Sequence, residues 1–231
     1  LFTVQRQSTR LWTFPLDAAA GRITGRGTPI TPEDGRAEHS ALSPDGRFAA
    51  VAMRRAGTAR VELLLVDIDS NKSEVFAVDA ISPAWSPDSR TLAYVLSRPD
   101  RPPPGEFALA ARRVGGPERI LRPWSGESVV LPTGWTPDGQ SVLGMYLAPL
   151  HVGRSKLVFW PMSPAVPQTE RIALEDPGHL VWQGSVSPNG RWLTFAAQRS
   201  DDLAQLGIYV ARSGAPLSEW VRMAPDHKAA D

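Results

Sequence analysis

Two serines follow a glycine in a way that invites a hydrolase reading. A nucleophile elbow needs Gly-x-Ser-x-Gly, because its serine rides a strained strand-to-helix turn that exposes the hydroxyl to a base. Gly139-Gln140-Ser141-Val142-Leu143 and Gly126-Glu127-Ser128-Val129-Val130 supply only the first glycine. Leu143 and Val130 occupy the second glycine position, and Ser141 opens a strand-like run, so neither serine is expected to be a nucleophile. Asp67-x-Asp69-x-Asn71 matches the start of a calcium loop, in which oxygens at alternate positions wrap the cation. Lys72 stands where that loop needs glycine and Val78 where it needs a bidentate glutamate, which leaves a hairpin turn as the expectation. The histidines, His39, His151, His179 and His227, are never four apart and no cysteine occurs, so no zinc signature exists. Walker loops, dinucleotide fingerprints and kinase catalytic loops are missing as well. The expectation is a non-catalytic chain with no metal and no cofactor.

Charge and hydropathy narrow the partners. Twenty-five Lys and Arg against 24 Asp and Glu give a net charge of +1, which offers no field of one sign for nucleic acid. No apolar run approaches the roughly 18 to 20 residues that span a bilayer, so direct membrane insertion is not expected. Hydrophobic residues make up 42% of the 231, enough for a substantial core. The 22 prolines and 19 glycines suit many short strands joined by tight connections. The chain opens at Leu1 inside a strand-like segment, which reads as a piece of a longer polypeptide with other domains.

The elements that would position any site announce themselves through repetition. Ser43-Pro44-Asp45-Gly46, Ser86-Pro87-Asp88-Ser89, Thr136-Pro137-Asp138-Gly139 and Ser187-Pro188-Asn189-Gly190 are four versions of one turn, with prolines 43, 50 and 51 residues apart. Proline presets φ at the second position, the Ser or Thr oxygen accepts a backbone N–H, and glycine takes the positive φ that closes the hairpin. Ser89 alone departs from glycine. Leu42, Trp85, Trp135 and Val186 precede each proline by two residues, and short strands follow over residues 48–53, 91–96, 141–146 and 192–197. Third strands are expected over 61–67, 107–114, 156–162 and 207–212, and fourth strands near 73–78, 118–121, 170–174 and 219–223.

Four antiparallel strands per unit at this period make the blade of a β-propeller. The expected organisation is an all-β chain: a partial blade and connection over residues 1–37, blades over 38–79, 80–122, 123–175 and 176–225, and a further strand or tail over 226–231. Residues 11–16 and 28–31 read as strands three and four of the partial blade. That window fits a six- or seven-bladed ring better than a closed four-bladed one.

Ala41-Leu42-Ser43-Pro44-Asp45-Gly46-Arg47-Phe48 and Ala84-Trp85-Ser86-Pro87-Asp88-Ser89-Arg90-Thr91-Leu92-Ala93-Tyr94 resemble the repeats of TolB-like, WD40-like β-propellers. Leu11-Trp12-Thr13-Phe14-Pro15-Leu16-Asp17 and the stretch from Val181 to Trp192 are similar to propellers fused behind a bacterial sensor kinase or a winged-helix regulator. The resemblance implies a rigid platform for protein or small-ligand contacts whose output comes from another domain. It favours a periplasmic or extracytoplasmic place over a cytoplasmic one. Related propellers that gate a separate peptidase or hydrolase domain supply the alternative role.

In such a fold binding belongs to the end where strand two turns into strand three and where successive blades connect. Those connections are read at residues 54–60, 97–106, 148–154 and 198–205, and at 33–39, 123–131 and 175–183. Residues 97–106, with Pro102-Pro103-Pro104, read as a stiff exposed loop. Arg54, Arg98, Trp124, His151, Arg154, His179 and Trp182 are the candidate contact residues, since arginine, histidine and tryptophan combine contact area with a polar handle. Trp182 also reads as interblade packing. Arg55 would extend a basic rim that Glu127, Asp176, Asp201 and Asp202 interrupt.

Overall fold

The structure, a computed structural model, describes residues 8–58, 60–98, 106–125, 128–147, 155–163, 169–202 and 206–223. Hydrogen bonding inside the repeated turn is the same four times. Ser43 Oγ donates to Asp45 Oδ1 (2.6 Å) and accepts the Phe48 N–H (2.9 Å), while Asp45 Oδ1 also accepts the Arg47 N–H (3.1 Å). Ser86 with Asp88, Thr136 with Asp138, and Ser187 with Asn189 repeat the network. The N–H of Gly46, Ser89, Gly139 and Gly190 closes each turn onto the carbonyl three residues back, and all four have positive φ. Ser89, at φ 60°, carries the left-handed cost of about 1 kcal/mol that glycine avoids in the other three.

Ahead of the first such turn lie four two-residue strands, β1 (Trp12–Thr13), β2 (Leu16–Asp17), β3 (Arg22–Ile23) and β4 (Thr28–Pro29). β1 pairs with β4 and β2 with β3, so the segment is an interrupted hairpin rather than the two continuous strands expected over 11–16 and 28–31. Pro15 lies between β1 and β2 and has no N–H to donate, which breaks the ladder there.

Four four-stranded antiparallel sheets follow, each in chain order. The first holds β5 (Gly35–Leu42), β6 (Phe48–Arg55), β7 (Val61–Asp67) and β8 (Lys72–Val78). The second holds β9 (Ala80–Trp85), β10 (Thr91–Ser97), β11 (Phe107–Arg113) and β12 (Glu118–Ser125). The third holds β13 (Val129–Trp135), β14 (Ser141–Leu147), β15 (Ser155–Pro161) and β16 (Arg171–Leu174). The last holds β17 (His179–Val186), β18 (Leu193–Arg199), β19 (Gly207–Ala211) and β20 (Val221–Arg222), with a 3₁₀ turn at Leu217–Glu219 before its final strand. No helix among the described residues is long and apolar enough to cross a membrane.

The chain forms two compact units, Leu1–Pro83 and Ala84–Asp231. In the first, Leu11 and Ile30 from the N-terminal segment pack on Ala49, Val51, Met53, Leu64 and Val66 of the first sheet. In the second, the third sheet is buried on both faces. Val142, Val158 and Trp160 meet Ala93, Leu109, Ala111 and Leu121 of the second sheet, whereas Leu143, Leu157 and Phe159 meet Val181, Leu193, Phe195 and Trp220 of the last. Burial on both sides is why β14 and β15 read as nearly continuous apolar runs instead of alternating ones.

Polar staples cross the same boundaries in the second unit. Trp135 Nε1 donates to Ala84 O (3.0 Å), Trp160 Nε1 to Leu121 O (3.2 Å), and the Val181 N–H to Ser155 Oγ (2.7 Å). The turns also touch: a Cβ on Gly139 would lie 4.0 Å from Pro87 Cδ, and one on Gly190 3.8 Å from Pro137 Cδ. The third and last sheets are thus each tied to the one before by packing, by hydrogen bonds and by a turn.

Candidate functional site

The connection from β6 to β7 rims a cleft of about 790 Å³ in the first unit, lined by Ser8, Glu33 to Arg36, and Arg54 to Thr58. Backbone geometry shapes it. Gly35 opens β5 where a Cβ would sit 2.5 Å from Arg54 O, so only glycine lets the two strands meet there. Gly57, at φ 77°, turns the chain, and the Ala56 N–H donates to Asp34 O (2.8 Å) to hold the loop against the start of β5. The Ala37 N–H donates to Thr9 O (3.0 Å), which fixes the N-terminal segment along the opposite edge of β5.

Arginines and carboxylates dominate this end. Arg54 grips Glu38 with two prongs, Nε to Oε1 at 2.9 Å and Nη2 to Oε2 at 3.3 Å. Arg55 spans Asp34 (Nη1 to Oδ1 and Oδ2, both 3.1 Å) and Glu62 (Nε to Oε2, 3.0 Å). Arg10 pairs with Glu33 and donates from Nε to Thr31 O (3.1 Å). The Arg54 guanidinium holds the Glu38 carboxyl below its ordinary range, chiefly through their hydrogen bonds. Its folded value being the lower one, Glu38 contributes stability that is present above the unfolded glutamate pKa of about 4.3 and is lost as pH falls through the folded value. Carboxyl ¹³C NMR is expected to place the Glu38 midpoint below that of an exposed glutamate. Arg54→Gln should return it to the ordinary range; a midpoint indifferent to Arg54 would show that the pair does not govern the carboxyl.

The remaining contact candidates are distributed differently from the expectation. His179 and Trp182 lie in β17 rather than in a connection, paired with Arg199 and Ala196. Three residues apart in a strand, they face opposite sides of the sheet and build no common site. His179 Nδ1 meets Asp176 Oδ1 (2.7 Å) and its ring stands edge-on to Trp220, so the side chain secures a turn and the last core. Trp182 is half-buried. Trp124 falls within β12, not in an interblade loop. Arg98 follows β10, where its N–H closes onto Glu106 O (2.9 Å). His151 and Arg154 lie outside the described residues, as do Glu127 and Pro102-Pro103-Pro104.

The strand positions have a physical cause. First strands carry irregularities, with register shifts between Ala37 and His39, Pro132 and Gly134, and Trp182 and Ser185. Pro132 and Gly184 inside them look like connection residues in sequence, yet bulged strands accommodate them. Arg36, Glu38, Asp34 and Glu62 are not among the expected contacts; the clustering of acids and arginines through Glu33-Asp34-Gly35-Arg36-Ala37-Glu38 and the pair Arg54-Arg55 are the available signal.

Chemistry is sparse elsewhere. Ser141 starts β14 with its N–H bonded to Thr136 Oγ1, which is a hairpin position and not an elbow. Asp67 Oδ1 accepts both the Ser70 N–H and hydroxyl at 2.8 Å, so that carboxylate closes a turn. No group of three metal-ligating side chains occurs among the described residues.

No family model matches the chain, and no curated protein does. Solved structures match it well in shape. TolB from Acinetobacter baumannii superposes with a TM-score of 0.66 at 14% identity, over 87% of this chain and 46% of that one. A puromycin hydrolase gives 0.62 at 18% identity over 94% and 35%, and a prolyl endopeptidase 0.61 at 14% over 89% and 32%. The chain therefore spans under half the length of each of these three proteins, and at such identities the likeness establishes the fold. That fold is the TolB-like β-propeller.

Proposed function

We propose that this chain is a non-catalytic binding module, the propeller part of a larger bacterial protein, which meets a protein partner or small ligand at the end of its sheets where strand two turns into strand three. One contrast carries the reading. The opposite end repeats a single turn whose hydroxyls and Asp or Asn oxygens satisfy one another, whereas the arginines and carboxylates of the cleft beside Arg54 and Arg55 are not repeated in the other sheets among the described residues. Binding surfaces on repeat scaffolds lie where the repeats differ. The outer face of the last sheet supports the larger assembly. Ile208 and Val221 are 50% and 61% exposed there beside half-buried Trp182, the kind of surface a further blade covers. An extracytoplasmic place accords with the TolB-like fold.

Site-specific photo-crosslinking in the native host tests this. A benzophenone side chain at Thr58 is expected to capture a partner, and one at Arg47 or Gln140, in the turns, is not. Equal capture from the turns would overturn the assignment. The second reading, a propeller that gates a peptidase or other hydrolase, is favoured by the likeness to a prolyl endopeptidase and a puromycin hydrolase. A Gly-x-Ser-x-Gly hydrolase domain in the same reading frame would select it over the first.

A further inference from the structure

Arg36 of β5 stands directly opposite Arg54 of β6 in the strand register. Like charges facing each other across an antiparallel pair repel, and such a pair persists when counter-charge is at hand. Glu38 supplies one carboxylate, and both of its oxygens are engaged by Arg54. The neighbouring acids are committed too: Asp34 and Glu62 to Arg55, Glu33 to Arg10. Among the described residues Arg36 makes no ion pair within 4 Å and no side-chain hydrogen bond; it acts on Glu38 through space only, behind Arg54, and is exposed on the wall of the cleft.

We propose that Arg36 is the anchor of a carboxylate subsite in this cleft, which receives one carboxylate of a peptide partner, either an acidic side chain or the chain's C-terminus. This rests on the loop end being the contact face. The guanidinium fork matches a carboxylate with two parallel N–H donors, and that match is geometric as well as electrostatic. A volume of about 790 Å³ accommodates several residues of peptide around that anchor. The charge balance selects the class of anion. Arg10, Arg54 and Arg55 are held in ion pairs with Glu33, Glu38, Asp34 and Glu62, so Arg36 is one guanidinium for one incoming negative charge, and the second charge of a dianion would find no further cation outside those pairs. A phosphate is disfavoured on that ground.

The experiment follows Arg Nε–Hε and the Gly35 and Gly57 amides of the full ¹⁵N-labelled chain by NMR, with probes added to millimolar concentration. The probes are an acetylated and amidated pentapeptide with one central glutamate, an acetylated pentaalanine with a free C-terminus, its amide, and inorganic phosphate. At least one carboxylate peptide is expected to shift Arg36 Nε–Hε and both glycine amides, and whichever does so identifies the source of the group. Arg36→Gln should weaken that titration about tenfold or more, Arg36→Lys should restore part of it, and Tm should hold or rise because the opposed charge is gone. Equal shifts from the neutral amide, tighter binding of phosphate, silence from both carboxylate peptides, or undiminished binding by a folded Arg36→Gln would each overturn the subsite. Crosslinking at Thr58 separates the two levels: capture that persists in Arg36→Gln keeps the contact face and rejects the subsite, and loss of all capture from Thr58 in the unaltered chain rejects both.

Discussion

Replacing Trp135 by alanine is expected to destabilise the protein by about 3–5 kcal/mol, the range for deleting a large buried aromatic. Trp135 ends β13 with 8% of its surface exposed and packs with Ala84, Ala93, Val142 and Trp160 between the second and third sheets. The same truncation removes the Nε1–H donor that reaches Ala84 O across the boundary. Trp135→Phe separates the two contributions. It keeps most of the apolar volume and loses the donor, so about 1–3 kcal/mol is expected from the lost hydrogen bond together with the smaller ring. Urea denaturation at pH 7 reads both, provided the slope is unchanged. A pair of variants that both unfold at the midpoint of the unaltered chain would show that the indole does not tie these sheets together.

The second large effect comes from adding a single methyl group. A Cβ on Gly184 would lie 2.7 Å from Leu157 Cδ1 and 3.1 Å from Leu143 Cδ2. Both leucines are fully buried in the cluster that joins the third and last sheets, so neither can swing into solvent. Overpacking of that kind costs about 1–3 kcal/mol, and Gly184→Ala is expected to fall in this range. Adding Leu157→Val should recover part of the loss, since the two sites share one contact and their effects should not add. Strict additivity in the double variant would place the strain elsewhere.

How much of this could be read from the chain depends on the range of the forces involved. The repeated turns were legible because their bonds span two to five residues: Ser43, Asp45 and Phe48 carry the whole device. Second and third strands were legible for a related reason, since β14 and β15 lie between two sheets and are apolar on both faces. First strands were not. Pro132, Gly134 and Gly184 suit bulges whose register only the neighbouring strand defines, and bulge and connection look alike in one dimension. His179 and Trp182 therefore read as connection residues in sequence, whereas β17 holds both and strand alternation separates them. The place of Arg54, where a strand meets a loop, was legible. Its relation to Arg36 was not, because the facing of those two side chains depends on a register that shifts between Ala37 and His39.

The staples in the second unit have a consequence for how such a chain can change in length. Trp135 reaches back to Ala84, Trp160 to Leu121, the N–H of Val181 to Ser155, and Gly139 and Gly190 lie against the prolines of the preceding turns. Every tie crosses a single boundary and none skips one. An in-frame duplication of the third blade would therefore arrive with two indole donors for the boundary behind it and the Ser155 hydroxyl as acceptor for the boundary ahead. The grammar of this interface is hereditary: it permits a gene to gain or lose whole blades, while punishing any insertion that divides one.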